Sequence, residues 1–219
     1  MTLNIEKALL SPFSDKDWTR KFFILILLSV VRAISISLRV NLLAWILTII
    51  SGGYFMCFMN NEIHGIKPLL PCWSSNYFNY FKKGLIVTII ATIYMILSFP
   101  IMYFLFNLTS DFDILIGFYL LLLVCFFVSA LYCDNFEFRE AFALRKLLRI
   151  MINAKKDFLI IILIISTLFI GCFFASIELL EQIKLSKFIF GIIVALSTPY
   201  FLLFINNLIA QAYKSGKEI

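Results

Sequence analysis

Charged residues are scarce in this chain of 219 residues, and their scarcity excludes a large class of proteins. Only 15% of the residues are Asp, Glu, Lys or Arg, whereas 62% are hydrophobic and the mean hydropathy is +0.98. A water-soluble fold of this size could not cover so much apolar surface with so few charges. The composition therefore predicts an integral membrane protein.

The residues that usually build catalytic and metal sites are also rare. His64 is the single histidine, and the sequence contains no Ser/His/Asp set, no H-E-x-x-H motif and no Gly-rich phosphate loop. The five cysteines form no C-x-x-C pair, and most lie in or beside apolar runs, where Cys acts as a small hydrophobic residue. We therefore expect a protein that is not an enzyme, with no catalytic residue, no cofactor and no metal site.

Six apolar runs have about the length that is needed to cross a membrane. They cover residues 22–38, 40–59, 84–106, 114–133, 158–177 and 188–212. The first run is short and contains Arg32, but an arginine near the end of a span can extend to the lipid headgroups. The sequence predicts an all-α integral membrane protein, a bundle of six transmembrane helices in one domain, residues 1–219.

Basic residues are distributed unevenly between the two sides of these spans. If the N-terminus lies in the cytoplasm, the cytoplasmic segments hold fifteen of the nineteen Lys and Arg residues and the outer segments hold four. Lys and Arg are enriched in cytoplasmic segments of membrane proteins. We therefore expect a multi-pass protein with both termini in the cytoplasm.

A basic pair precedes every odd-numbered span: Arg20-Lys21, Lys82-Lys83 and Lys155-Lys156. Two spans joined by a short outer connection follow each pair. This layout is typical of three helical hairpins, each preceded by a cytoplasmic interfacial segment. The enrichment of basic residues on the cytoplasmic side would produce the same pattern without a repeat, so both interpretations stay open.

The longest polar stretch covers residues 134–157 and has helical periodicity. Asp134 and Glu137 have the spacing of a capping box, which predicts a helix over residues 136–153. Its apolar residues share one side and are Ala141, Leu144, Leu147, Leu148, Met151 and Ile152; Arg139, Arg145, Lys146 and Arg149 share the other. The pattern predicts an amphipathic helix on the membrane surface.

This basic surface suggests the first hypothesis for the function, a membrane protein whose cytoplasmic face binds anionic lipid headgroups or a partner protein. The candidate binding residues are Arg139, Arg145, Lys146, Arg149, Lys155 and Lys156. We do not expect nucleic-acid binding, because no nucleic-acid-binding motif is present.

Two prolines inside predicted spans suggest a second hypothesis. Pro100 and Pro199 each remove a helix hydrogen bond, and they act either as hinges in a small-molecule permease or transporter subunit or as static kinks. No Asp, Glu, Lys or His lies in the middle of a predicted span, although ion-coupled transport ordinarily uses such residues. A lipid-modifying membrane enzyme is a third hypothesis.

Short motifs along most of the chain resemble one known family. They are Asn4-Ile5-Glu6-Lys7-Ala8-Leu9, Pro12-Phe13, Asp17-Trp18, Gly53-Tyr54, Leu70-Pro71-Cys72-Trp73, Lys83-Gly84, Arg139-Glu140-Ala141-Phe142 and Gln211-Ala212-Tyr213-Lys214. Their order resembles an uncharacterised prokaryotic family, domain of unknown function four-zero-one-three. Cys72 departs from the family pattern, which has an acid there. The resemblance implies a multi-pass protein of a bacterial or archaeal inner membrane, and it carries over no activity and no site residue.

Overall fold

A computed structural model describes residues 3–73, 77–106, 111–182 and 184–217, and it contains helices and no strand within these ranges. Side chains are described for these residues except 99, 101–106, 111–116, 118, 169, 170, 172–182 and 184–193. The eight α-helices are α1 (Ile5–Leu10), α2 (Trp18–Ser37), α3 (Asn41–His64), α4 (Tyr77–Phe106), α5 (Asp111–Asn135), α6 (Leu144–Asn153), α7 (Lys155–Gln182) and α8 (Lys184–Lys217). Short 3-10 helices cover Ser11–Ser14 and Phe138–Phe142.

Each predicted span lies on a different long helix, and most of these helices extend beyond the apolar run. For example, α4 begins at Tyr77 and not at Gly84, and α8 continues to Lys217. Residues 178–182 and 184–187, which separate the last two predicted spans, are helical. Hydropathy marks the apolar part of a helix, whereas its backbone hydrogen bonds continue into polar flanking residues.

Three helices of the described chain are long and apolar enough to cross a membrane: Asn41–His64, Tyr77–Ser98 and Val194–Lys217. A shorter apolar helix covers Tyr119–Asn135. Helix α2 is not among the three, because it carries Arg20, Lys21 and Arg32 within 20 residues. The predicted all-helical class is thus confirmed, and the described chain has three helices that could span a membrane by their length and composition.

Helix α3 lies at the centre of the bundle, in contact with α2, α4, α5 and α8. Two glycines bring the backbones of α3 and α4 together: a Cβ on Gly53 would lie 1.8 Å from the Tyr80 carbonyl oxygen, and a Cβ on Gly84 would lie 1.8 Å from that of Ile49. Only glycine fits so close a crossing, as in many membrane helix pairs. This close crossing fixes the position of the end of α3 relative to the start of α4.

The segment that follows α5 is not the single helix that the periodicity predicts over residues 136–153. Phe136 has a left-handed backbone (φ 56°), and its N–H donates to the Tyr132 carbonyl oxygen at 2.7 Å, which ends α5. The 3-10 helix Phe138–Phe142 follows, and α6 begins only at Leu144. The predicted capping box is wrong, because Asp134 belongs to the last turn of α5 and its carboxylate bonds side chains of α8.

Candidate functional site at the basic end of the bundle

The carboxylate of Asp134 is buried at the end of α5, with 1% of its side chain exposed. Lys217 Nζ donates to both carboxylate oxygens at 2.8 Å, and the Tyr213 hydroxyl donates to Oδ2 at 3.0 Å. Both donors lie near the end of α8. A single acid therefore joins the last turns of two helices that are far apart in the sequence.

Lys146 of α6 contributes a third donor group. Its Nζ lies 3.5 Å from Asp134 Oδ2 and 2.6 Å from Glu140 Oε2. Burial alone would raise the pKa of Asp134, but hydrogen bonds from Lys217 and Tyr213 outweigh it and lower the pKa. Burial likewise opposes the charge of Lys146, but the hydrogen bond to Glu140 raises its pKa. Both groups are therefore charged at neutral pH.

Two side chains of α3 contact backbone carbonyl groups in the last turn of α5. His64 Nε2 lies 2.7 Å from the Asp134 carbonyl oxygen and 3.6 Å from Oδ1, and Asn60 Nδ2 donates to the Cys133 carbonyl oxygen at 2.5 Å. We call the set the Asp134 cluster: Asn60, His64, Asp134, Lys146, Tyr213 and Lys217. It connects four helices, and His64 is the last residue of α3.

Helix α6 has two distinct apolar faces. Leu147, Ile150 and the following Ala154 are buried against the bundle. Leu144, Leu148 and Ile152 are 48%, 58% and 69% exposed, and their spacing of four residues makes a continuous stripe. We call these three residues the leucine stripe. The periodicity groups Leu147 with Leu148 on one face, but one of them faces protein and the other faces outward.

The predicted binding residues take two different positions around α6. At about 100° per residue, Arg145 and Arg149 follow directly after the leucine stripe, on the side away from the packed face. Both are exposed, as are Arg139, Lys155 and Lys156, and none of the five forms an ion pair with a described residue. Lys146 differs, because it is turned toward Asp134 and Glu140.

A second buried ion pair lies at the start of α2. Lys21 Nζ lies 2.7 Å from Asp15 Oδ2, and only 6% and 4% of the two side chains are exposed. Lys21 Nζ also donates to the Leu70 carbonyl oxygen at 2.8 Å, and Trp73 Nε1 donates to the Lys21 carbonyl oxygen at 3.2 Å. The pair thus fixes the α3–α4 connection against α2. Sequence reasoning missed it by counting Lys21 only as a topology-determining base.

Both predicted hinge prolines lie inside helices, Pro100 in α4 and Pro199 in α8. The Ser98 hydroxyl donates to the Tyr94 carbonyl oxygen at 2.6 Å, and the Thr198 hydroxyl donates to that of Val194 at 2.5 Å. These are not the carbonyl groups that the prolines leave free, which lie four residues before each proline. The hydroxyls therefore bond neighbouring carbonyls of the same turn.

The fold and this site define the class as an all-helical protein with candidate membrane spans. Its described ion pairs lie at one end of the bundle, the basic end, where α3, α5 and α8 end and α2 begins. Within the described residues, no group of three or more His, Cys, Asp or Glu side chains could hold a metal ion.

Residues 34–180 match the model of a family described as "Protein of unknown function (DUF4013)". The match covers more than half of the chain, and the chain belongs to this family, which confirms the resemblance found in the short motifs. No curated protein matched the chain, and neither did any solved structure. Asp134 and α6 lie inside the matched range, whereas Tyr213 and Lys217 lie outside it.

Proposed function

We propose that this protein is a non-catalytic, multi-pass inner-membrane protein whose α6 surface binds anionic lipid headgroups in the cytoplasmic leaflet. The observation that carries the proposal is the position of Arg145 and Arg149 directly beside the exposed leucine stripe, where both are exposed and form no ion pair with a described residue. The proposal includes six spans and two cytoplasmic termini, in a bacterial or archaeal cell.

The leucine stripe favours a position of α6 at the bilayer surface. Exposed apolar area costs about 25 cal/mol per Å² in water, and a helix in the interface removes this cost by burying its stripe at the boundary of the acyl chains. Arg145 and Arg149 would then lie at headgroup depth. A guanidinium group can bond two phosphate oxygens at once, and each basic residue near an anionic surface contributes about 1 kcal/mol.

Contacts between distant segments support the proposed orientation. Lys7 of α1 pairs with Glu62 near the end of α3, and Lys217 pairs with Asp134 at the end of α5. Lys83 lies over the Phe136 ring, 3.4 Å from its centroid. Segments that the positive-inside rule assigns to the cytoplasm therefore meet at one end of the bundle, as two cytoplasmic termini require.

The hairpin repeat is proposed only for the pairs α2–α3, α4–α5 and α7–α8. Interfacial helices precede the first and third pairs, namely α1 and α6. Residues 65–73, which lie before the second pair, form no helix. The surface helix is therefore not part of the proposed repeating unit.

The test compares lipid retention in two charge-reversed variants. Protein in nanodiscs of mixed phosphatidylglycerol and phosphatidylcholine is extracted, and the retained lipids are counted by mass spectrometry. Arg145→Glu with Arg149→Glu should lower retained phosphatidylglycerol severalfold, because each lost contact contributes about 1 kcal/mol. Lys16→Glu with Lys82→Glu is the matched control, since both lysines are exposed and unpaired among the described residues. Equal retention of phosphatidylglycerol in the two variants would contradict the proposal. So would the finding that the two arginines are needed only for binding a protein partner.

A permease is the second candidate function, and Asn206 of α8 favours it. Its Nδ2 donates to the Leu202 carbonyl oxygen at 2.7 Å, whereas its Oδ1 is buried with no partner in the described chain. A polar solute or water in a path beside Pro199 would provide that partner. Modification of Asn206→Cys by a charged, water-soluble thiol reagent would support such a path, and protection would count against it.

A further inference from the structure

A cavity of about 140 Å³ lies where α2 and α4 begin. Its lining includes Asp17, Arg20, Lys21, Ile24, Trp73 and Tyr77. The cavity is separate from α6 and from the Asp134 cluster. Its walls combine both signs of charge with two aromatic rings.

Two opposite charges in this cavity have no described partner. Asp17 occupies the N-cap position of α2, but its side chain makes no capping hydrogen bond. Neither Asp17 nor Arg20 forms an ion pair with the residues that the structure describes, and both are exposed. Lys21, in contrast, is buried and engaged by Asp15 and by the Leu70 carbonyl oxygen. The cavity therefore offers one carboxylate and one guanidinium group that form no ion pair within the described part of the chain.

The aromatic wall is held rigidly on one side. The Trp73 ring stacks on Tyr54 at a centroid distance of 4.3 Å, and its Nε1–H donates to the Lys21 carbonyl oxygen. Tyr77 lies 5.6 Å from Trp73 at an interplanar angle of 32°, and it is half exposed. Aromatic faces attract ammonium groups within about 6 Å of the ring centroid.

The position of the cavity along α2 corresponds to the headgroup layer. Arg20 and Lys21 precede the apolar run that begins at Phe22, and Ile24 is one turn deeper into that run. Trp and Tyr side chains are enriched at this depth of membrane proteins. A ligand held by Asp17 and Arg20 would thus have its apolar part directed along Ile24 toward the acyl chains.

We infer that this cavity binds the phosphoethanolamine headgroup of a zwitterionic phospholipid. Arg20 binds the phosphate, while Asp17 accepts N–H bonds from the ammonium group against the half-exposed ring of Tyr77, which packs on the buried Trp73. A choline headgroup has no N–H to donate to Asp17, and a glycerol headgroup has no cation. The inference goes beyond the proposed function, because it concerns another lipid class and another site.

Native mass spectrometry of the full chain in detergent tests this assignment with added phosphatidylethanolamine, phosphatidylcholine or phosphatidylglycerol. The wild type should bind phosphatidylethanolamine most tightly. Asp17→Asn should weaken that binding about tenfold and leave the binding of phosphatidylglycerol unchanged, because it removes only the negative charge that pairs with the ammonium group. Arg20→Gln should weaken the binding of all three lipids. The matched controls are Glu6→Gln and Lys16→Gln, at exposed residues outside the cavity lining.

Several outcomes would overturn the assignment. Equal binding of the three lipids to the wild type is one, and an unchanged preference in Asp17→Asn is another. Water-soluble glycerophosphoethanolamine separates a lipid from a free headgroup: binding of the soluble compound without binding of the lipid contradicts a lipid site. Arg145→Glu with Arg149→Glu should leave the preference for phosphatidylethanolamine intact, so this site and the α6 surface can fail independently. Tyr77→Leu, at a half-exposed residue, provides a second variant and should also reduce the preference.

Discussion

Asp134 and Asp15 are both buried carboxylates at the basic end of the bundle, but different parts of the chain neutralise them. Asp15 pairs with Lys21, six residues away, and both side chains are almost fully buried. Asp134 pairs with Lys217, which lies 83 residues away and has 46% of its side chain exposed. The first pair is local and closed to solvent, whereas the second joins distant helices and has an open side.

This difference determines what remains when one partner is lost. A lysine that is half exposed recovers hydration when its acid is removed, so little unpaired charge stays buried. A carboxylate whose only basic partner is removed from a closed site stays buried and uncompensated, which is much more costly. The closed pair should therefore be the more sensitive of the two, although the Asp134 cluster includes more residues.

The largest effect is expected from Lys21→Met, which leaves Asp15 buried without its cation. Breaking a buried pair on one side costs about 3–5 kcal/mol in free energy of unfolding. Reversible denaturation in mixed micelles, followed by circular dichroism, measures the change. Lys16→Met, at an exposed position, should stay within about 0.5 kcal/mol of the wild type.

A second variant tests whether the unpaired charge is the cause of this loss. Asp15→Asn together with Lys21→Met removes both charges, and it should recover a large part of the lost stability. A double variant that is as unstable as Lys21→Met would show that packing of the lysine stem, and not the charge, is responsible.

Asp134→Asn is expected to have a smaller effect, about 2–3 kcal/mol. The side chain keeps its size, but Tyr213 and Lys217 lose a charged acceptor, and hydrogen bonds to charged groups contribute about 1.5–3 kcal/mol. The same denaturation assay measures it, with Glu137→Gln as the exposed control. A loss greater than that of Lys21→Met would reverse the comparison between the two acids.

Acidification should remove the contribution of Asp134 without any mutation. Its pKa in the folded state is lowered, so its contribution is present above the unfolded value of about 3.9 and is lost as the pH falls toward the lower folded value. Other carboxylates titrate in the same range, so the measured quantity is the stability difference between the wild type and Asp134→Asn. This difference should shrink below about pH 4, and a constant difference down to pH 2 would contradict the assignment.

The fold class was predictable from the sequence because the composition and the length of the apolar runs depend directly on whether lipid or water surrounds the chain. Each of the six apolar runs lies on its own long helix. The break between the 3-10 helix Phe138–Phe142 and α6 was not predictable, because residues 136–153 keep helical periodicity across it and hydropathy does not separate a 3-10 turn from an α-helix.

The site was less predictable for a different physical reason. Periodicity separates apolar from polar residues, but it cannot separate Leu147, which faces protein, from Leu148, which faces outward, since lipid and protein interior are equally apolar. The pairing of Asp134 with Lys217 required the fold, because nothing local in the sequence links them. The pair of Asp15 and Lys21 had a local signal, an acid shortly before a base at the start of a span.

Among the substitutions in the two ion-pair sites, Lys146→Gln should have the smallest effect on the free energy of unfolding. Lys217 still neutralises Asp134 in this variant, Tyr213 still donates a hydrogen bond to it, and Lys146 is partly exposed, so the loss should be below about 1 kcal/mol. The pKa of Lys146 is raised in the folded state, so its contribution is present below about pH 10.4 and is lost as the pH rises above that value.

Lipid retention should match that of the wild type, because Lys146 faces Glu140 and not the headgroups. A retention loss as large as that of the double variant at Arg145 and Arg149 would mean that net charge, and not the position of the arginines beside the leucine stripe, governs lipid binding.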